Sequence, residues 1–166
     1  MRDVYKRQGH TQFGMYTEDS VDYQLLLDRL LIKWASAKKL VPRALIDATA
    51  GGEIGIVSVG SCDGAIREAM DLLRARGVGL NYMRIRAFPF SEDVERFLAA
   101  HQVLFVVEQN RDAQLRALLT LETQVEKAKL HSLLHYNGLP ISSSFIVEGV
   151  LAHLQPGTKS RAAAGQ

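Results

Sequence analysis

The chain has 166 residues, 47% hydrophobic and 23% charged, which suffices for one globular core with an appended arm. Its formal net charge of +2 is too small to single out nucleic acid or an anionic membrane as a partner. The lone Cys62 cannot form an internal disulfide, no apolar run reaches transmembrane length and no signal peptide is visible, so a cytoplasmic location is expected.

Residues 1–8, MRDVYKRQ, have no apolar period and read like a translated sequencing adaptor. They are expected to be an artefact joined to a protein that begins further upstream. Gly9 to Asp19 reads as loop, and a lone loop histidine such as His10 is expected to be solvated. Asp19 or Ser20 can cap the helix that follows. In that helix Leu27, Leu30, Leu31 and Trp34 form one stripe, and Pro42 stops it. The stripe must bury itself, either on the following domain or on a partner missing from the chain. Arg43 to Glu53 has no strong period, and Ala50-Gly51-Gly52 reads as a hinge. Residues 9–52 are thus expected to be an arm and linker.

Ile54 to Arg76 organises the rest. A β-branched apolar run, Ile54 to Val59, leads through a turn bracketed by Gly60 and Gly64 into a helix with Ile66, Ala69, Met70 and Leu73 on one face, which Gly77 ends. Val78 to Arg86 is a second strand, with Leu80, Tyr82, Arg84 and Arg86 on one face. Phe88-Pro89-Phe90 turns the chain, and Ser91 is placed to cap a helix with Val94, Phe97 and Leu98 inward. Val103 to Val107 is a continuous apolar strand of the kind buried on both faces. Glu108 to Arg111 turns, Asp112 is placed to cap a helix bearing Leu115, Leu118 and Leu119, and Thr123 to Lys129 reads as loop. Leu130 to Tyr136 reads as a weak strand of edge type. Ser142, Ser143 and Ser144 offer caps to a last helix with Ile146, Val147, Val150, Leu151 and Leu154 inside. The alternation predicts a doubly wound, mostly parallel open α/β sheet of four strands over residues 53–154, with a disordered tail at 155–166.

No set of residues looks able to do chemistry alone. The turn Gly60-Ser61-Cys62-Asp63-Gly64 joins a strand end to a helix start, where anions bind, but it lacks GxGxxG spacing and a P-loop lysine. Asp63 would repel phosphate and reads better as an N-cap. Cys62 has no His or second Cys near it in sequence and reads as a packed small residue. His131 and His135 are four apart, with no third metal ligand evident. His101 and His153 lie near helix ends and read as structural. Glu108, Asn110 and Gln114 follow the carboxyl end of the central strand, where a sheet presents residues to a ligand or neighbouring domain. A solvated, capped turn explains them equally. Arg84 and Arg86 could pair with a partner's carboxylates or be exposed charge.

Five segments carry a resemblance: GHTQFGMYTEDS, LLDRLLIKWASAKKLVP, GIVSVGSCDGAIREAMDLL, RAFPF and VVEQNRDAQLRALL. In this order, from Gly9 to Leu154, they resemble the C-terminal part of the alpha subunit of 2-oxoacid:ferredoxin oxidoreductases, the 2-oxoglutarate type in particular. The last is close to the pattern Glu-x-Asn-x-x-Gly-Gln-Leu, matched at Glu108, Asn110, Gln114 and Leu115. Ala113 replaces the glycine, a departure a helix start is expected to tolerate.

The resemblance implies a transketolase C-terminal-type domain. It implies an enzyme that decarboxylates a 2-oxoacid on thiamine diphosphate with Mg, passes electrons through an iron–sulfur cluster to ferredoxin, and delivers the acyl group to coenzyme A. Upstream alpha-subunit domains and a beta subunit would be partners; nucleic acid and membrane would not. No catalytic, cofactor-binding or metal residue is carried over. Gly60, Ser61, Asp63, Arg84, Arg86, Glu108, Asn110 and Gln114 are the expected interdomain or subunit contacts, and the chain alone is expected to be inactive and to bind no cofactor. A free-standing non-catalytic α/β interaction or ligand-binding module, and the equivalent domain of a transketolase, are the alternatives.

Overall fold

A computed structural model describes residues 9–154. The artefact expected at 1–8 and the disorder expected at 155–166 lie outside the described residues. The chain divides into two compact units, one up to Val41 and one from Pro42.

In the first unit, β1 (Gly9–His10) and β2 (Tyr16–Thr17) pair antiparallel. Expected as loop, this stretch is a minimal hairpin closed by Thr11 and Gly14, whose N–H donates to the Thr11 carbonyl at 2.9 Å. Two-residue strands are too short to show a period. Helix α1 (Ser20–Ala37) is capped by Asp19, whose carboxylate accepts from the N–H groups of Val21 and Asp22. No residue of α1 is buried, and Leu27, Leu30, Leu31 and Trp34 are 44–68% exposed.

The second unit is built on five strands among the described residues: β3 (Leu45–Asp47), β4 (Ile54–Val59), β5 (Asn81–Ile85), β6 (Val103–Glu108) and β7 (Leu130–Leu134). Their order is β3-β5-β4-β6-β7. All pairs are parallel except β3 with β5. The fifth strand, β3, lies where a linker was expected. Its three residues are too few to alternate visibly, and pairing with β5 rather than local pattern makes them a strand.

Helices α2 (Asp63–Arg74), α3 (Glu92–Ala100), α4 (Gln114–Glu122) and α5 (Ser143–Leu154) cover both faces. On one, Ile66, Ala69 and Leu73 of α2 and Ile146 and Val150 of α5 pack on Ile56, Tyr82, Phe105 and Val107. On the other, Val94 and Leu98 of α3 and Leu115 and Leu119 of α4 pack on Val57, Met83, Leu104 and Val106. Strand β6 thus sends alternate residues into two apolar layers, which is why it reads as an unbroken apolar run. Helix α2 closes in a Schellman motif: Gly77, at φ 79°, donates to the Arg74 carbonyl and Val78 to that of Leu73. At Gly55 the sheet meets α3 so closely that a Cβ would lie 2.9 Å from Leu104 and 3.0 Å from Phe97.

Chain order and sheet order set the place of the site. After β4, the chain crosses through α2 to β5 on one side, then through α3 to β6 on the other. The reversal falls at the carboxyl ends of β4 and β6, which is where open α/β sheets bind ligands and neighbours.

Candidate functional site

The expected contact residues gather at this carboxyl edge, in separate groups. The first centres on Asp63. Gly60–Cys62 forms a turn of tighter helix that runs straight into α2, so Asp63 is the first residue of α2 and not its N-cap. Its carboxylate instead accepts from the Tyr82 hydroxyl at 3.1 Å and from Arg67 Nε at 3.2 Å, with Arg84 Nη1 at 3.7 Å. Arg84 also donates to the Gly60 carbonyl at 3.0 Å. Burial pushes the Asp63 carboxyl upward, but the bonds from Arg67 and Tyr82 and the two guanidinium charges outweigh it and hold it below the usual range. Tyr82 also meets Ser58 Oγ at 2.9 Å inside the sheet. Chiefly through burial, its phenol is pushed up to about 12. Both arginines near Asp63 therefore have internal partners.

The second group is Arg86, Glu108, Asn110 and Gln114. They share the lining of a cavity of about 330 Å³, whose walls include Ile85, Phe88, Phe90 and Leu115. Glu108 is 3% exposed at the end of β6. Its Oε2 accepts from the Leu115 N–H at 2.6 Å and from Asn110 Nδ2 at 2.7 Å, and its Oε1 from the Arg116 N–H at 3.1 Å. The side-chain Oδ1 of Asn110 accepts from the N–H groups of Asp112 and Gln114. Glu108 and Asn110 together therefore cap α4, where the helix dipole also favours an anion. Asp112, the expected cap, pairs with Arg111 instead. Ser91 has the cap position of α3, but its hydroxyl makes no capping bond. Ala113 precedes α4 with φ 52° and ψ 47°. That is left-handed backbone, which favours glycine, so the substitution there is not neutral to the helix start.

Arg86 differs from Arg84. Its Nε donates to the Arg43 carbonyl at 2.8 Å, and among the described residues no carboxylate pairs with it. Ser61 stands apart from both groups, in an open cleft of about 660 Å³ shared with Gln109, His135 and Tyr136.

The remaining candidates are placed by packing. Cys62 is buried, and burial, helped by the Glu108 charge, raises its thiol pKa, the opposite of what a nucleophile needs. His135 lies past the end of β7 and bonds the Leu139 carbonyl. Its ring packs edge-on against Phe145 of α5, the helix whose His153 ring lies 3.9 Å from that of His131. His101 is buried between the Phe97 carbonyl and the Asn81 amide. Among the described residues no cluster of three His, Cys, Asp or Glu could hold a metal ion. Sequence reasoning missed the Ser58–Tyr82 pair. Its only signals were a serine in the apolar run of β4 and the spacing of Tyr82 to Arg84, two residues along one face. The arrangement places bonded, held polar groups beside an apolar cavity.

No protein-family model matches the chain. Curated relatives do. The chain is 28% identical over 160 residues, 93% of its length, to the 2-oxoacid:ferredoxin oxidoreductase subunit alpha of Saccharolobus solfataricus. It is 28% identical over 153 residues to 2-oxoacid:ferredoxin oxidoreductase 2, subunit alpha, of Aeropyrum pernix. It spans only about a quarter of either relative, 25% and 24%. The solved 2-oxoglutarate:ferredoxin oxidoreductase of Magnetococcus marinus, with 2-oxoglutarate, coenzyme A and succinyl-CoA bound, superposes with a TM-score of 0.76 at 26% identity, over 88% of this chain and 26% of that one. In sequence and in fold, then, this chain is similar over most of its length to about a quarter of a 2-oxoacid:ferredoxin oxidoreductase alpha subunit.

Proposed function

We propose that the chain is the C-terminal structural domain, with its preceding arm, of the alpha subunit of a thiamine-diphosphate-dependent 2-oxoacid:ferredoxin oxidoreductase of the 2-oxoglutarate type. The whole enzyme would oxidatively decarboxylate the oxoacid to an acyl-CoA and reduce ferredoxin in the cytoplasm. The observation that carries this reading is the match to the solved 2-oxoglutarate enzyme, at a TM-score of 0.76 over 88% of the chain.

Within the complex the α/β unit acts as a scaffold, and its carboxyl edge contacts the upstream domains or the beta subunit. The exposed Leu27–Trp34 stripe of α1 supports a partner of that kind for the arm, since apolar side chains at helical spacing stabilise a helix when another surface covers them. The described residues do not fit the enzyme's iron–sulfur cluster or its Mg. A cluster held by protein thiolates needs several cysteines, and the chain has one, buried. No acidic cluster suits Mg among the described residues. The thiamine diphosphate, Mg and cluster sites are assigned to the rest of the complex.

The test begins with the surrounding genomic DNA. A reading frame continuing upstream of Gly9 into the rest of an alpha subunit, with a beta-subunit gene downstream, is expected. The assembled complex should reduce ferredoxin with 2-oxoglutarate and coenzyme A, and the purified 166-residue chain should not. Oxoacid turnover, or tight retention of thiamine diphosphate, by the chain alone would overturn the reading.

A further inference from the structure

The two arginines at the end of β5 separate into an internal group and an outward one. Arg84 is spent on Asp63 and the Gly60 carbonyl. Arg86 is exposed and is anchored through Nε alone, to the backbone of Arg43, which leaves both terminal nitrogens of its guanidinium for another acceptor. It stands at the lip of the 330 Å³ cavity. The other ionised group in that lining, Glu108, has both oxygens turned into the start of α4 and occupied by N–H donors. Nearby, Arg43 is itself 80% exposed and 3.9 Å from Asp93, a carboxylate that Arg96 holds more closely, at 2.7 Å. The rim is therefore positive.

Its walls are apolar and continue outward as exposed surface at Val59 (47%) and Phe88 (38%). An aromatic and an aliphatic at the mouth of a cavity with a fixed cation form the pattern of an interface hot spot: an apolar anchor beside a charge. The cavity's volume is near the lower limit for small-molecule sites, and it is open. The relatives are about four times as long as this chain, so polypeptide to cover the surface exists in the protein they represent.

We propose that this cavity seats a segment of a neighbouring polypeptide, an apolar side chain filling it while an adjacent carboxylate pairs with Arg86. The inference rests on the alpha-subunit reading and narrows its contact surface from the whole carboxyl edge to the Arg86, Asn110 and Gln114 side.

The probe is a capped pentapeptide alternating Leu or Phe with Glu, titrated into the isotope-labelled chain and followed by amide chemical shifts. Saturable shifts are expected at Ile85, Ala87, Leu115 and Leu118. Replacing Glu by Gln in the peptide, or Arg86→Gln in the protein, should each weaken binding about two- to five-fold, the size of a partly exposed ion pair. Arg86→Lys should recover part of the loss. Equal binding of the neutral peptide, no effect of Arg86→Gln, or shifts confined to another surface would overturn the proposal. So would succinate alone moving the same amides as strongly, which marks a small carboxylate ligand. The same holds for shifts that grow with protein concentration and no peptide, which mark a second copy. In the co-expressed complex, assembly unaffected by Arg86→Gln sinks this inference and leaves the alpha-subunit reading standing. Failure of any complex to form, with the peptide still bound, does the reverse.

Discussion

The buried carboxylate of Glu108 reaches seven residues along the chain to accept the Leu115 N–H at 2.6 Å. One side chain at a strand end thus satisfies the start of the next helix. Helix starts leave N–H groups without intrahelical partners, and burying them unsatisfied is costly. Glu108→Ala is expected to destabilise the chain by about 3 kcal/mol, since the N–H groups of Leu115 and Arg116 both lose their acceptor. Glu108→Gln keeps one acceptor oxygen and should cost about half as much. Urea unfolding followed by circular dichroism reads both. A wild-type midpoint in the alanine variant would remove Glu108 from the capping role.

Ala113 sits at φ 52° immediately before the same helix. An L-residue with a Cβ strains there, and glycine does not. Against that, glycine gives the unfolded chain more freedom. The strain is the larger effect, so Ala113→Gly should stabilise by about 0.5–1 kcal/mol. A thermal melt that moves down in this variant would show that the left-handed conformation is not held.

His131 packs against His153 and Phe105, and burial, then the proximity of His153 and Arg116, pushes its pKa below the usual 6.5. The unfolded chain therefore binds a proton here before the folded one does. Above the ordinary imidazole value both states are neutral at this site and nothing is lost. As pH falls below it, protonation of the unfolded state draws stability away. His131→Phe should flatten the decline in unfolding free energy between roughly pH 7 and 5. An unchanged slope would show that the His131–His153 stack does not control it.

Tyr82 shows the alkaline counterpart. Its phenol is pushed from 10.0 up to about 12, mainly by burial. Stability is unaffected below the unfolded value and falls as pH rises through it, because the unfolded phenol ionises first. In a phenolate absorbance titration of the native chain, the Tyr82→Phe variant should lose the last-titrating component. The variant should also be less stable at neutral pH by about 1–2 kcal/mol, since Ser58 Oγ loses its buried partner. Loss of an early-titrating component instead would contradict the burial.

Much of the second unit was readable from the residues in order. Continuous apolar runs marked β4 and β6, a helical stripe and a closing glycine marked α2, and apolar faces marked α3, α4 and α5. These signals are local: each depends on side chains within a few residues, which is the range over which period and capping act. The expected contact residues do lie at the carboxyl edge, because strand direction alone puts them there.

What had to wait for the tertiary structure is whatever joins residues distant in the chain. Strand β3 exists because Leu45–Asp47 lies against Arg84, Met83 and Tyr82, not because of its own pattern. By its position Asp63 reads as a cap, yet Tyr82, nineteen residues on, draws its carboxylate into a different network. Asp112 reads as a cap for the same local reason, and Glu108 takes the role from beyond the range of any capping motif. Arg84 and Arg86 are alike in sequence and alternate along one face, and only the neighbours across β4 and β3 make one internal and leave the other outward. Periodicity determines which residues turn inward. It carries no information about which side chain from another element arrives to meet them, because that depends on the order in which the strands assemble.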